Sequence, residues 1–153
     1  MIAFQILRRR VVDSNGTPAK AGVITGAPFA VDTLERIDKI TAPGGPYALT
    51  VARMVSHPGQ PLRVEMAVPG RSGIFWHSFN WAAQGEGCLG VGDATADNGG
   101  ELEGGLSDHI ADKLAALVEA NPGSTCEVVD ETGAADAIPV ETFPDIHGPE
   151  GEA

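Results

Sequence analysis

Glycine and proline cut this chain into short pieces, and that limits what it can fold into more than any other feature. Asn15-Gly16, Pro43-Gly44-Gly45-Pro46, Pro58-Gly59 and Pro69-Gly70 punctuate its first half. Such dipeptides form turns and interrupt long helices. With 20 Gly, 11 Pro and only 5% aromatic residues in 153, the composition favours many turns between short strands. The hydrophobic share of 42% and charged share of 20% are ordinary for a folded domain, and the length suffices for one self-supporting core.

The clearest strand is Leu62, Val64, Met66 and Val68 alternating with Arg63, Glu65 and Ala67, a period of two that buries one face. Weaker strand patterns cover about 2–12, 22–34, 47–55, 73–77 and 124–130. Asn15-Gly16 is a hairpin signal that makes the first two antiparallel neighbours. One helix is expected over about 107–120: Ser107 or Asp108 caps it, Ile110, Leu114, Leu117 and Val118 share one face, and Asn121-Pro122-Gly123 ends it. The expected fold is mainly β (α+β), a compact, mostly antiparallel β-sheet or partly open barrel over 1–130 with one covering helix. Residues 131–153 read as an extended Pro/Gly-containing tail, and 127–153 hold eight acidic and no basic residues.

The formal net charge of −11 repels polyanions, and no basic block with interleaved aromatics exists to track phosphates, so nucleic acid is excluded as a partner. No apolar run is long enough for membrane insertion. In MIAFQILRRRVV the charges follow the apolar residues, the reverse of a signal peptide. Cys88 and Cys126 are too few for a disulfide framework and lie in no CxxC pair, so structural zinc is not expected. Asp93, Asp97, Asn98, Glu101 and Glu103 form an acidic loop without the EF-hand spacing, which reads as a solvated turn, and neither a metal nor a cofactor is expected. Arg8-Arg9-Arg10 reads as protection of an exposed strand edge.

The segment Gly73–Gly92 gathers both tryptophans with His77 and Cys88 in a glycine-rich setting. Gly87, Gly90 and Gly92 leave little bulk around Cys88, so an extended substrate backbone could approach its sulfur. His77, eleven residues upstream, supplies the imidazole that Cys/His nucleophilic catalysis needs to take the thiol proton and later protonate the leaving group. Asn80 or Glu86 would orient that ring, and backbone N–H groups at Gly87–Cys88 would hold the oxyanion. Glu35, Trp76, Trp81 and Gly87 are the candidates for contacting substrate. The competing reading of each is structural: Cys88 and Cys126 as small buried residues, His77 as a hydrogen-bonded core histidine, Glu35 as a half-exposed strand residue.

FAVDTLER (29–36), TAPGGPY (41–47), VPGRSGIFWHSFN (68–80) and EGCLGVG (86–92) together resemble the phage and prophage family of the domain of unknown function numbered fifty-six seventy-five. The likeness spans about 2–130 and is most specific at His77, Asn80, Glu86, Gly87 and Cys88; it departs at Phe79, where that family usually has Gly, and at Gly85, where a hydroxyl residue is common. A His followed by Gly-Cys at the head of a strand is, more distantly, similar to L,D-transpeptidase catalytic domains. The resemblance implies a protein made in a bacterial host's cytoplasm and incorporated into the virion. Two roles follow from it. One is a cysteine-nucleophile enzyme acting on peptidoglycan peptide, by hydrolysis or acyl transfer. The other is a non-catalytic tail, baseplate or capsid part that docks other virion proteins, or copies of itself, through its surface and tail.

Overall fold

The computed structural model describes residues 1–54, 61–71, 74–85, 88–95 and 100–132, with the backbone alone at 104–106. Eight strands are present, β1 (Ala3–Ser14), β2 (Thr17–Thr25), β3 (Asp32–Arg36), β4 (Gly44–Ala52), β5 (Arg63–Met66), β6 (Ile74–His77), β7 (Leu89–Gly92) and β8 (Thr125–Asp130). A single 3-10 turn, Ala82–Gln84, and one helix, α1 (Gly104–Ala120), complete the described elements. The strands close into a barrel in the order β1-β2-β3-β7-β6-β5-β4-β8. Most neighbours are antiparallel, as expected; β1 with β8 and β6 with β7 are the parallel pairs.

Local chemistry accounts for much of this. Asn15 and Gly16 take positive φ values of 54° and 94°, the left-handed conformation a tight hairpin requires, and Asp13 Oδ1 accepts the Gly16 N–H at 2.9 Å. The single strand expected over 22–34 is in fact two: β2 ends at Thr25, Gly26 turns at φ 106°, and β3 begins at Asp32. The barrel is closed, not partly open, so β1 has β2 on one side and β8 on the other and presents no edge for the arginines to guard. Between Arg8 and Arg10 a bulge shifts the register, leaving Arg8 buried while Arg9 and Arg10 are exposed.

Inside the ring, Phe4, Ile6, Ile24, Val64, Met66, Trp76, Leu89, Val91, Cys126 and Val128 form one apolar core. Helix α1 adds Ile110, Ala111, Leu114, Ala115 and Val118 to it, the face its spacing predicts. The helix begins one turn earlier than expected, with Glu103 at its N-cap. Ser107 does not cap; it is buried, and its Oγ donates to Val91 O at 2.6 Å and accepts the Phe79 N–H at 3.2 Å. Beyond the other end of α1, Ser124 Oγ accepts the Ile2 N–H at 2.9 Å. The helix therefore closes the end of the barrel where β1 begins and β7 finishes. Arg63, on the polar side of the alternating strand, is fully buried because α1 lays Asp108 and Asp112 against its guanidinium at 2.8 and 2.5 Å. Leu62, on the apolar side, is exposed.

A second, smaller core lies outside the wall, where Phe79, Ala82 and Leu102 pack over Val12, Ala19, Ala21 and Leu34.

Candidate functional site

Strand register decides which residues of the Cys/His segment share a face. Trp76 pairs with Leu89 and His77 with Gly90. Since Trp76 and Leu89 both lie in the barrel core, the next positions, His77 and Gly90, face outward. Cys88 lies in the bend just before Leu89, where its N–H donates to Gly85 O at 2.8 Å. His77 thus emerges on the outer side of β6, Cys88 sits in the bend at the head of the neighbouring parallel β7, and both are half-buried.

The glycines around Cys88 serve a different purpose from the one expected. A Cβ at Gly90 would lie 2.2 Å from Phe79 Cζ, and one at Gly85 2.8 Å from Phe79 Cε2. Phe79 is itself buried, with its ring tilted 33° to that of His77 at 6.1 Å between centroids. A Cβ at Gly92 would meet Ser107 Cα at 2.9 Å. The space these glycines leave is filled by the protein's own Phe79 and Ser107, rather than being open to a substrate backbone.

The remaining candidates are dispersed. Asn80 Nδ2 donates to Leu102 O at 3.0 Å and its backbone N–H to Gln84 Oε1 at 2.8 Å, so its amide ties the turn to the 101–102 segment. Trp81 is half-buried, bridging to Glu101 through its backbone. Trp76 is in the barrel interior, edge-on to Phe4 at 5.7 Å, and has no surface to offer a substrate. Glu35 is neither half-exposed nor near His77: it points into the barrel, against Arg8. Glu86 and Gly87 lie outside the described residues, as do Asp97, Asn98, His57 and Pro58-Gly59. Cys88 and Cys126 are not joined in a disulfide. Cys126 is sealed in the core, and burial pushes its thiol up to about 12. Among the described residues no group of three or more His, Cys, Asp or Glu is arranged to hold a metal ion.

A second polar constellation was missed in the sequence. Arg8, Lys20, Glu35 and Asp130 all turn inward, away from α1; the first three are buried and Asp130 is half-buried with its side chain shielded. Arg8 donates from Nε and Nη2 to the two Glu35 oxygens at 2.9 and 3.0 Å. Lys20 Nζ donates to Asp130, which also accepts the backbone N–H and hydroxyl of Thr132. A signal for it exists: Arg8 continues the parity of Phe4 and Ile6, and Asp130 that of Cys126 and Val128, and register pairs Arg8 with Asp130. Charged residues on the buried parity of a strand are rare unless paired.

Burial alone would raise the Asp130 carboxyl, but the Lys20 hydrogen bond and those from Thr132 outweigh it and hold Asp130 below its ordinary value. The ionised form is therefore bound more tightly in the folded state. Its stabilisation is complete above the unfolded carboxyl range near 4 and disappears as pH falls through the lower folded value. Urea unfolding followed from about pH 5 to pH 2 should show a steeper acid loss of stability in the wild type than in Asp130→Asn. Parallel profiles would remove Asp130 from the acid response.

Comparison with family models, with curated proteins and with solved structures finds no match to this chain.

Proposed function

We propose that the protein is a phage-type barrel whose Cys88 and His77 act on an amide of bacterial cell-wall peptide. The observation that carries this reading is the parallel pairing of β6 with β7, which sets the outward His77 beside the strand that Cys88 heads. It is supported by the resemblance of VPGRSGIFWHSFN and EGCLGVG to the phage family and, more distantly, to L,D-transpeptidases. In the proposed step, His77 takes the Cys88 proton as sulfur bonds to the substrate carbonyl carbon. The tetrahedral intermediate then expels the amine, which receives that proton from His77, leaving a thioester. Water or a second amine displaces the sulfur, giving hydrolysis or acyl transfer.

Iodoacetamide with peptide mapping tests this directly, and Cys126 serves as internal reference because its raised thiol keeps it inert in the folded protein. Cys88 should be alkylated near neutral pH at least about tenfold faster than Cys126, and His77→Ala should slow it. Purified sacculi should be cleaved or cross-linked by wild type and not by Cys88→Ala. An unreactive Cys88, or activity retained in Cys88→Ala, overturns the reading.

The second reading, a virion part without catalysis, is favoured by Phe79. Its ring occupies the glycine-lined space beside His77 at the position where the resembling family usually has Gly. This reading expects stoichiometric protein in purified particles together with an inert Cys88.

A further inference from the structure

The inward charge cluster floors an open pocket of about 270 Å³. Arg8, Lys20, Thr41 and Asp130 line its polar side, and Ile37 and Ile40, in the connection from β3 to β4, supply an apolar rim. Glu35 occupies one edge of the Arg8 guanidinium through Nε and Nη2. The remaining nitrogen, Nη1, lies on the side of Asp130, whose Oδ2 is 3.9 Å away, beyond hydrogen-bond range. Among the described residues Nη1 has no hydrogen-bond partner, although the Arg8 side chain is only 1% exposed. A buried donor without an acceptor is uncommon, and one bordering a pocket is a place for a ligand atom.

Charge defines what that atom belongs to. Among the described residues the two cations, Arg8 and Lys20, face two carboxylates, Glu35 and Asp130. A ligand carboxylate would bring a surplus negative charge against Asp130, and a ligand ammonium would meet Arg8 and Lys20. Asp130 already accepts from Lys20 and Thr132. Among the described residues Arg8 Nη1 lacks an acceptor, and the paired charges around it favour an uncharged one. The pocket is slightly smaller than those that hold drug-sized ligands.

We infer that this barrel mouth binds a small neutral molecule carrying an amide carbonyl beside a short apolar group, with the carbonyl oxygen accepting from Arg8 Nη1 and the apolar group against Ile37 and Ile40. The site lies inside the barrel and does not use Cys88 or His77, so it stands apart from the reading above.

Titration of the full chain with N-acetyl-alanine methylamide, followed by ¹H–¹⁵N spectra, tests it. Saturable shifts are expected at the Thr41 amide and the Arg8 Nε–H, whereas sodium acetate at the same concentrations should give none that saturate. Arg8→Lys keeps the charge but removes the Nη1 donor and should weaken binding about tenfold or more. Ala42→Trp, at an exposed rim position, fills the mouth without touching the charge cluster and should abolish the shifts in a protein with an unchanged melting profile. No saturable shift with the amide, tighter binding of acetate, or undiminished binding in Ala42→Trp would each overturn the inference.

Discussion

Glu35→Gln should cost about 3–5 kcal/mol of folding stability. Both oxygens of Glu35 accept from Arg8, at 2.9 and 3.0 Å, and both side chains are almost completely shielded, at 8% and 1% exposure. Glutamine keeps the shape but replaces one acceptor with an amide nitrogen and removes the charge. Arg8 would then remain buried as a cation beside Lys20, with Asp130 as the nearest carboxylate. Removing the pair together is a different perturbation. Arg8→Met with Glu35→Met deletes both desolvation penalties, and its cost should lie within about 1–2 kcal/mol of zero, far below that of the single change. Urea unfolding at pH 7 with a constant m-value measures both variants. Equal losses in the single and double variants would mean that packing at these positions, not charge pairing, sets the energy.

Trp76→Ala should be comparably severe, about 3–5 kcal/mol, because it empties the centre of the barrel. The indole is fully buried, edge-on to Phe4, in a cluster with Leu89, Val91 and the α1 residues Leu114 and Val118. Neighbouring strands fixed by hydrogen bonds cannot collapse into a space of that size, so the lost contacts stay lost. Its Nε1–H has no partner among the described residues, so alanine also relieves a small polar penalty, which places the expected value toward the lower end. Trp81→Ala is the comparison: a half-buried residue held through its backbone should lose roughly 1 kcal/mol. Were the Trp76 variant as stable as the Trp81 variant, the core would have repacked in a way the observed geometry does not anticipate.

Neither Glu35 nor Trp76 shows its role in its own segment, whereas other parts of the fold do. The Asn15-Gly16 hairpin, the buried parity of Val64, Met66 and Val68, and the apolar face of α1 follow from local chemistry alone, and the structure contains each of them. Strand β7 lies outside the strand patterns of the sequence because two of its four residues are glycines with poor strand propensity. Their reason for being there comes from outside the segment: Phe79 needs the surface of Gly90, and Ser107 needs that of Gly92. Arg8 defeated the edge-strand reading for a related reason. A bulge changes the register within the arginine run and the ring closes through β8, and neither event is written in residues 8–10. For Trp76 and Glu35 the missing information was parity, meaning which side of each strand faces the core. Once His77 and Trp76 are placed on opposite faces, the two cannot belong to one substrate cleft. Register also sets His77 on the outer side of β6, beside Gly90 of β7.

The parallel pairing of β1 with β8 has a consequence for how the molecule is made. Ala3 lies beside Thr125 and Arg8 beside Asp130, so the seam joins the first of the described strands to be synthesised with the latest of them. Until that late segment emerges, β1 and β4 each have an unpaired side, since β8 is the neighbour of both. A nascent chain in that state is an open ribbon with two adhesive margins, and joining them spans a large loop in sequence. Arg8 is a cation with part of its counter-charge not yet synthesised during that interval. Translation of Asp130 both zips the ring and completes the neutralisation of its interior.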